Sequence, residues 1–173
     1  MGWLKKEIVD INRSRHELFD GWHAYLTLTA VVFFAFGLAS CADTATTQIP
    51  VKDVTASRTI DEMVPPRVLD GDTATHWGAG SHPPQWIQLD LGEETSISEV
   101  RLCISQTPDG PTTHEVYAGA TPEQLKLIGT LAATTQDNQW IELSASANNV
   151  RYVKILTVNS PSWVGWREIE VYR

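Results

Sequence analysis

Hydrophobic and polar positions divide this chain into two parts of different character. From Leu26 to Leu38 the residues are apolar apart from two threonines and a glycine. From Val51 onward no stretch repeats its apolar residues at helical spacing, and short runs instead alternate or are wholly apolar. Trp86-Ile-Gln-Leu-Asp-Leu91 alternates cleanly and sets Ile87, Leu89 and Leu91 on one face before Gly92. Val100, Leu102 and Ile104 alternate with Arg101 and Cys103 in the same way. Further strands are predicted at His114–Ala118, Leu125–Leu131, Trp140–Leu143, Arg151–Val158 and Glu168–Tyr172, where β-branched and aromatic residues are frequent. Pro108-Asp-Gly-Pro111 and Asn148-Asn149 supply turns between them. About eight strands in roughly 120 residues predict an all-β, jelly-roll-like double sheet.

The first part reads as a leader. Its apolar run is 13 residues long and follows Lys5, Lys6, Arg13 and Arg15. That is the length of a signal-peptide core and short of the roughly 20 residues that span a bilayer. It closes on Leu38-Ala-Ser-Cys41, which resembles the bacterial lipobox. The resemblance implies lipidation of Cys41 and a mature chain held on a bacterial cell envelope, with Ala42 resembling lipoproteins released to an outer membrane. An uncleaved N-terminal anchor is the competing reading. The small, Thr-rich segment 42–50 is expected to be a tether, and 51–173 the domain.

Composition narrows the partners. The formal net charge is −8, and the four basic and four acidic residues among the first forty cancel, so the excess acid lies beyond them. Without a cluster of Lys and Arg there is little to grip phosphates, which argues against nucleic acid, and no polybasic patch for anionic lipids. Contact with a membrane is therefore expected through the lipid alone. The two cysteines, Cys41 and Cys103, sit in unlike contexts and predict no disulfide.

The segment Arg67-Val-Leu-Asp70-Gly71-Asp72-Thr-Ala-Thr75-His-Trp77 precedes Trp86-Ile-Gln-Leu-Asp-Leu-Gly92. Arg151-Tyr-Val-Lys-Ile155 and Trp166-Arg-Glu-Ile-Glu-Val-Tyr172 follow. In this order the blocks resemble the F5/8 type C (discoidin) domains and the related family 32 carbohydrate-binding modules. That resemblance implies a single galactose-binding-domain-like sandwich with a structural calcium ion. Carried over residue by residue, the ion's ligands are the side chains of Asp70, Asp72 and Glu168, Thr75 through hydroxyl and carbonyl, and the carbonyls of Arg67 and Arg167. The chemistry is sensible in itself, since calcium takes six to eight hard oxygens, and Gly71 lets the two aspartates turn toward one another. The competing reading is an Asp-Gly turn capped by its own side chains with Glu168 exposed.

Sugar-binding members use loops at one end of the sandwich, including a histidine after the signature tryptophan and an arginine in a mid-chain loop. Here Gly78 follows Trp77, and the loop Ser105–Pro111 contains no arginine, so the galactose constellation is not reproduced. The corresponding loops offer His76, His82, Gln106, Asp109, Asn159 and Trp163 as ligand contacts. Trp163 lies between Pro161 and Gly165, where it either stacks on a sugar ring or covers the base of the sandwich. Trp77, Trp86 and Trp140 are expected in or beside the core, and His114 as a structural histidine.

No nucleophile elbow, phosphate loop or His-Glu-x-x-His motif occurs. Cys103 with His114, or these with His76 and His82 around zinc, match no usual spacing. The expected function is a non-catalytic binding module for a glycan or other envelope ligand. The alternative is a structural or adhesion subunit that docks an envelope protein.

Overall fold

A computed structural model describes residues 46–173. The leader and Cys41 lie outside the described residues. The strands are β1 (Asp53–Ala56), β2 (Trp77–Gly78), β3 (Gln85–Ile104), β4 (Gly110–Gly119), β5 (Lys126–Thr135), β6 (Trp140–Asn159) and β7 (Gly165–Tyr172), with a short 3-10 turn at Pro65–Leu69. All pairings are antiparallel. The β3 and β6 strands, twenty residues each, are the spine.

Two layers arise because that spine bends. Register between β3 and β6 shifts three times between Asp90 and Glu99, where Gly92-Glu-Glu-Thr-Ser96 interrupts the alternation. Before the bend β3 pairs with β1 and the second half of β6, which pairs in turn with β4, and β4 with β5. Beyond it β3 pairs with β7 and the first half of β6, and β7 carries β2. The strand pairs expected at Trp86–Leu91 with Val100–Ile104, and at Trp140–Leu143 with Arg151–Val158, are thus each one bent strand.

Period-2 alternation places Ile87, Leu89, Val100, Leu102, Val116, Val153, Ile155, Ile169 and Val171 between the layers, each 2% exposed or less. Trp77 and Trp166 close one end of this core, paired across β2 and β7, and the Trp77 indole donates to the Arg58 carbonyl at 3.0 Å. Trp86 is half-buried beneath the Lys154 ammonium at 4.6 Å. Trp140, expected near the core, is 39% exposed because β6 turns its side chain to the outer face. Asp90 and Arg151 join β3 to β6 through two hydrogen bonds of 2.8 and 2.9 Å. At the other end of β7 from Gly165, Thr47 and Arg173 exchange backbone hydrogen bonds, so the tether enters beside the C-terminus.

Candidate functional site

Beside the Trp77–Trp166 end, the loops leaving β2, β3, β5 and β6 enclose a cleft of about 580 Å³. Its apolar wall is formed by Ile60, Met63, Pro108, Pro161 and Trp163. Trp163 is 55% exposed, a large loss of apolar burial for which the core offers no reason. Pro161 and Ser162 hold its loop, with the Ser160 hydroxyl accepting from the Ser162 amide at 3.2 Å and the Ser162 hydroxyl donating to the Trp163 carbonyl at 2.9 Å.

The polar wall contains His76, His82, Ser105, Asp137 and Arg167. Arg167 donates from Nε to Asp137 Oδ1 at 3.2 Å, from Nη2 to Oδ2 at 2.8 Å, and from Nη1 to the Thr73 carbonyl at 2.6 Å. The guanidinium holds the Asp137 carboxyl below the usual carboxylate range. Burial, then the Arg167 charge, pushes the His76 imidazole below its ordinary value, so it is neutral near pH 7.

Of the six residues expected to touch a ligand, His76, His82, Gln106 and Trp163 line the cleft. Gln106 is nevertheless 5% exposed with its amide used internally: Nε2 donates to the Thr135 carbonyl at 3.0 Å and Oε1 accepts from the Thr135 hydroxyl at 3.0 Å. It braces the loop and is not a free contact. Asp109 and Asn159 do not line the cleft; Asp109 points to solvent, and Asn159 donates to the Pro111 carbonyl at 3.0 Å, clamping β6 to β4. Asp137 and Arg167 were not anticipated there. Alternation along β7 carries the clue for Arg167, since Trp166 and Glu168 both turn inward and Arg167 must turn the other way.

The Asp70–Trp77 loop is a separate centre. Gly71 has φ +75°, the left-handed conformation expected of it. The Thr75 hydroxyl lies 2.7 Å from Asp70 Oδ2, 3.2 Å from the Asp72 carbonyl and 3.5 Å from the Arg67 carbonyl. It has one proton to give and faces three acceptors. Glu168, 6% exposed, reaches the same loop, and its Oε1 has no hydrogen-bond partner. Burial first, and the Asp70 carboxyl second, push Glu168 up to about 7.

One ligand expectation changes. Asp72 turns its carboxylate to the Ala74 amide at 2.9 Å and offers its carbonyl to the cluster. Accordingly, among the described residues no three His, Cys, Asp or Glu side chains gather. The loop's own side chains do cap its turn, as the competing reading held, but Glu168 is buried where that reading placed it in solvent. Hard oxygens from two carboxylates, a hydroxyl and two carbonyls fit a calcium ion in kind.

Cys103 and His114 do not form a nucleophilic pair. The thiol sits against Asn138 at 3.5 Å, and burial pushes it up to about 11. His114 Nδ1 pairs with the Thr157 hydroxyl at 3.0 Å, and its ring packs edge-on against Trp166.

With the fold and these two centres in view, comparison with known proteins gives a consistent answer. The F5/8 type C domain profile matches residues 53–170. The chain belongs to the F5/8 type C domain family. No curated protein sequence matches it. Among solved structures it is similar to the family 32 carbohydrate-binding module of AlyQ in complex with 4,5-unsaturated mannuronic acid (TM-score 0.65, 23% identity, 72% of this chain and 97% of that one). It is also similar to the family 32 module of C. perfringens NanJ in complex with galactose (0.61, 19%, 74% and 99%). A third is a Clostridium perfringens module in complex with GalNAc-beta-1,3-galactose (0.64, 20%, 73% and 100%). At these identities the likeness is one of fold.

Proposed function

We propose that this chain is a non-catalytic carbohydrate-binding module, held on the bacterial cell envelope through lipidated Cys41 and braced by a structural calcium ion. The observation that carries the sugar reading is the exposure of Trp163 in a cleft that polar side chains also line. An indole so placed stacks on the apolar face of a pyranose, while the polar side chains of the cleft exchange hydrogen bonds with its hydroxyls. The sugars held by three structural neighbours support the same reading. The buried, unreactive thiol and the paired His114 favour binding over catalysis.

Calcium would be held by the carboxylates of Asp70 and Glu168, Thr75 through hydroxyl and carbonyl, and the carbonyls of Arg67, Asp72 and Arg167, tying the loop to β7. Its role there is charge neutralisation and bracing. Lipidation would place the domain on the outer membrane where one exists, with the nine-residue segment 42–50 as its tether.

The test of the sugar reading is a glycan array and a polysaccharide pull-down with the full chain and its Trp163→Ala variant. Binding that the variant loses supports the reading. Absence of any glycan binding, or binding indifferent to Trp163, overturns it.

A further inference from the structure

We propose that the cleft takes neutral sugars in preference to uronic acids, with Asp137 and Arg167 as the pair that reads two adjacent hydroxyl groups. The inference rests on the carbohydrate reading and deepens it.

The argument is a count of what the pair leaves unused. A guanidinium has five N–H groups and a carboxylate about four acceptor positions. Arg167 spends one N–H on each Asp137 oxygen and one on the Thr73 carbonyl, which leaves one on each terminal nitrogen. Asp137 Oδ1 also accepts from the Gln106 amide at 3.2 Å, so its remaining capacity lies mainly on Oδ2. The Asp137 side chain is 41% exposed and the Arg167 side chain 17%. Both residues line the cleft, which therefore holds a carboxylate oxygen and, 2.8 Å from it, a guanidinium nitrogen that keeps one unspent N–H.

A hydroxyl group both donates and accepts, so two neighbouring hydroxyls of a sugar ring match this pair. One donates to Asp137 Oδ2, and the other accepts from Arg167. The Trp163 indole, which lines the same cleft, takes the ring's apolar side. A uronate carboxylate has no proton to give near neutral pH and would approach the Asp137 carboxylate, a like charge.

The positive charge that would compensate is already engaged. Arg167 is tied to Asp137 by a two-pronged contact, and His76, which lines the same cleft, is half-buried. His82, on the exposed rim, is the remaining basic side chain among those lining the cleft. Beyond the cleft, the acidic excess of the domain repels a polyanionic polysaccharide as it approaches.

The experiment is titration calorimetry of the full chain with tetrasaccharides of two kinds: neutral ones from galactomannan and xylan, and acidic ones from alginate and polygalacturonate. A salt concentration near 0.15 M screens charges beyond about 8 Å, so the result reports the cleft. The expected result is neutral binding with the uronates at least about tenfold weaker, since they leave Asp137 unmatched. Asp137→Asn should lower neutral affinity and narrow that ratio. Uronates bound as tightly as neutral sugars, in a manner lost in Trp163→Ala, would overturn this proposal and leave the carbohydrate reading standing. An unchanged ratio in an Asp137→Asn protein of unaltered melting temperature would also overturn it. No binding in either series would overturn both.

Discussion

Glu168 on β7 is almost fully buried, and the Asp70 carboxyl in the loop before β2, 98 positions earlier in the sequence, joins burial in raising its pKa. Two carboxyl groups so close repel unless one is protonated or a cation joins them. Because the ion would bind only the folded chain, calcium at a hundredfold its Kd should stabilise by about 2.7 kcal/mol and raise the melting temperature by roughly 10 °C. Glu168→Gln should abolish most of that rise. A melting temperature unmoved by calcium, in protein shown to be metal-free by elemental analysis, would remove the ion from the account.

The same pair makes the calcium-free protein sensitive to pH. Glu168 titrates near 7 in the fold, above the ordinary value of 4.5, so the folded chain binds a proton that the unfolded chain releases in that window. That contribution is complete below about 4.5 and is lost as pH rises through 7. In chelator, acidification from pH 8 to 5 should therefore favour folding through this group, and the Glu168→Gln variant should lack this component. Equal pH profiles for the two proteins in denaturant titrations would contradict the assignment.

His114 acts in the opposite sense. Burial depresses its pKa from 6.5 to about 4, so the imidazole stays neutral in the fold while the unfolded chain takes up a proton. Its contribution is present above pH 6.5 and is lost as pH falls toward 4, by an amount of up to about 3 kcal/mol. His114→Phe keeps an aromatic edge against Trp166 and cannot titrate. The wild-type protein should lose stability faster than this variant between pH 6.5 and 4, and parallel curves would show that His114 is protonated in the fold.

Gly165 joins the cleft to the core. A Cβ added there would lie 2.8 Å from the Trp77 carbonyl, a backbone atom held in the β2–β7 pair. Gly165→Ala should cost about 1–3 kcal/mol by forcing those strands apart, and should weaken ligand binding as well. Unchanged denaturation and affinity would mean that the pair yields more easily than its geometry indicates.

Much of this was legible along the chain where one face of a strand is buried. The alternation of Ile87, Leu89 and Leu91 is the burial pattern of β3 itself. The bend in that strand was not legible, because Gly92–Ser96 reads as a break and only the shifted pairing with β6 makes it continuous. In the loops the signal fails for a physical reason: a loop side chain has two destinations, solvent or the polar groups of the protein itself. Gln106 took the second and Trp163 the first. The Asp137–Arg167 pair joins the β5–β6 loop to β7, thirty residues on, and no local spacing records that meeting.

The most direct measurement compares Trp163→Ala with Trp77→Ala, using the full chain and immobilised polysaccharides. Trp163 is 55% exposed and Trp77 fully buried. Removing the Trp163 indole should leave stability within about 0.5 kcal/mol, whereas Trp77→Ala should cost about 3–5 kcal/mol. The account predicts that Trp163→Ala stays folded and loses glycan binding. A folded Trp163→Ala protein that binds glycan as well as the wild type would contradict it.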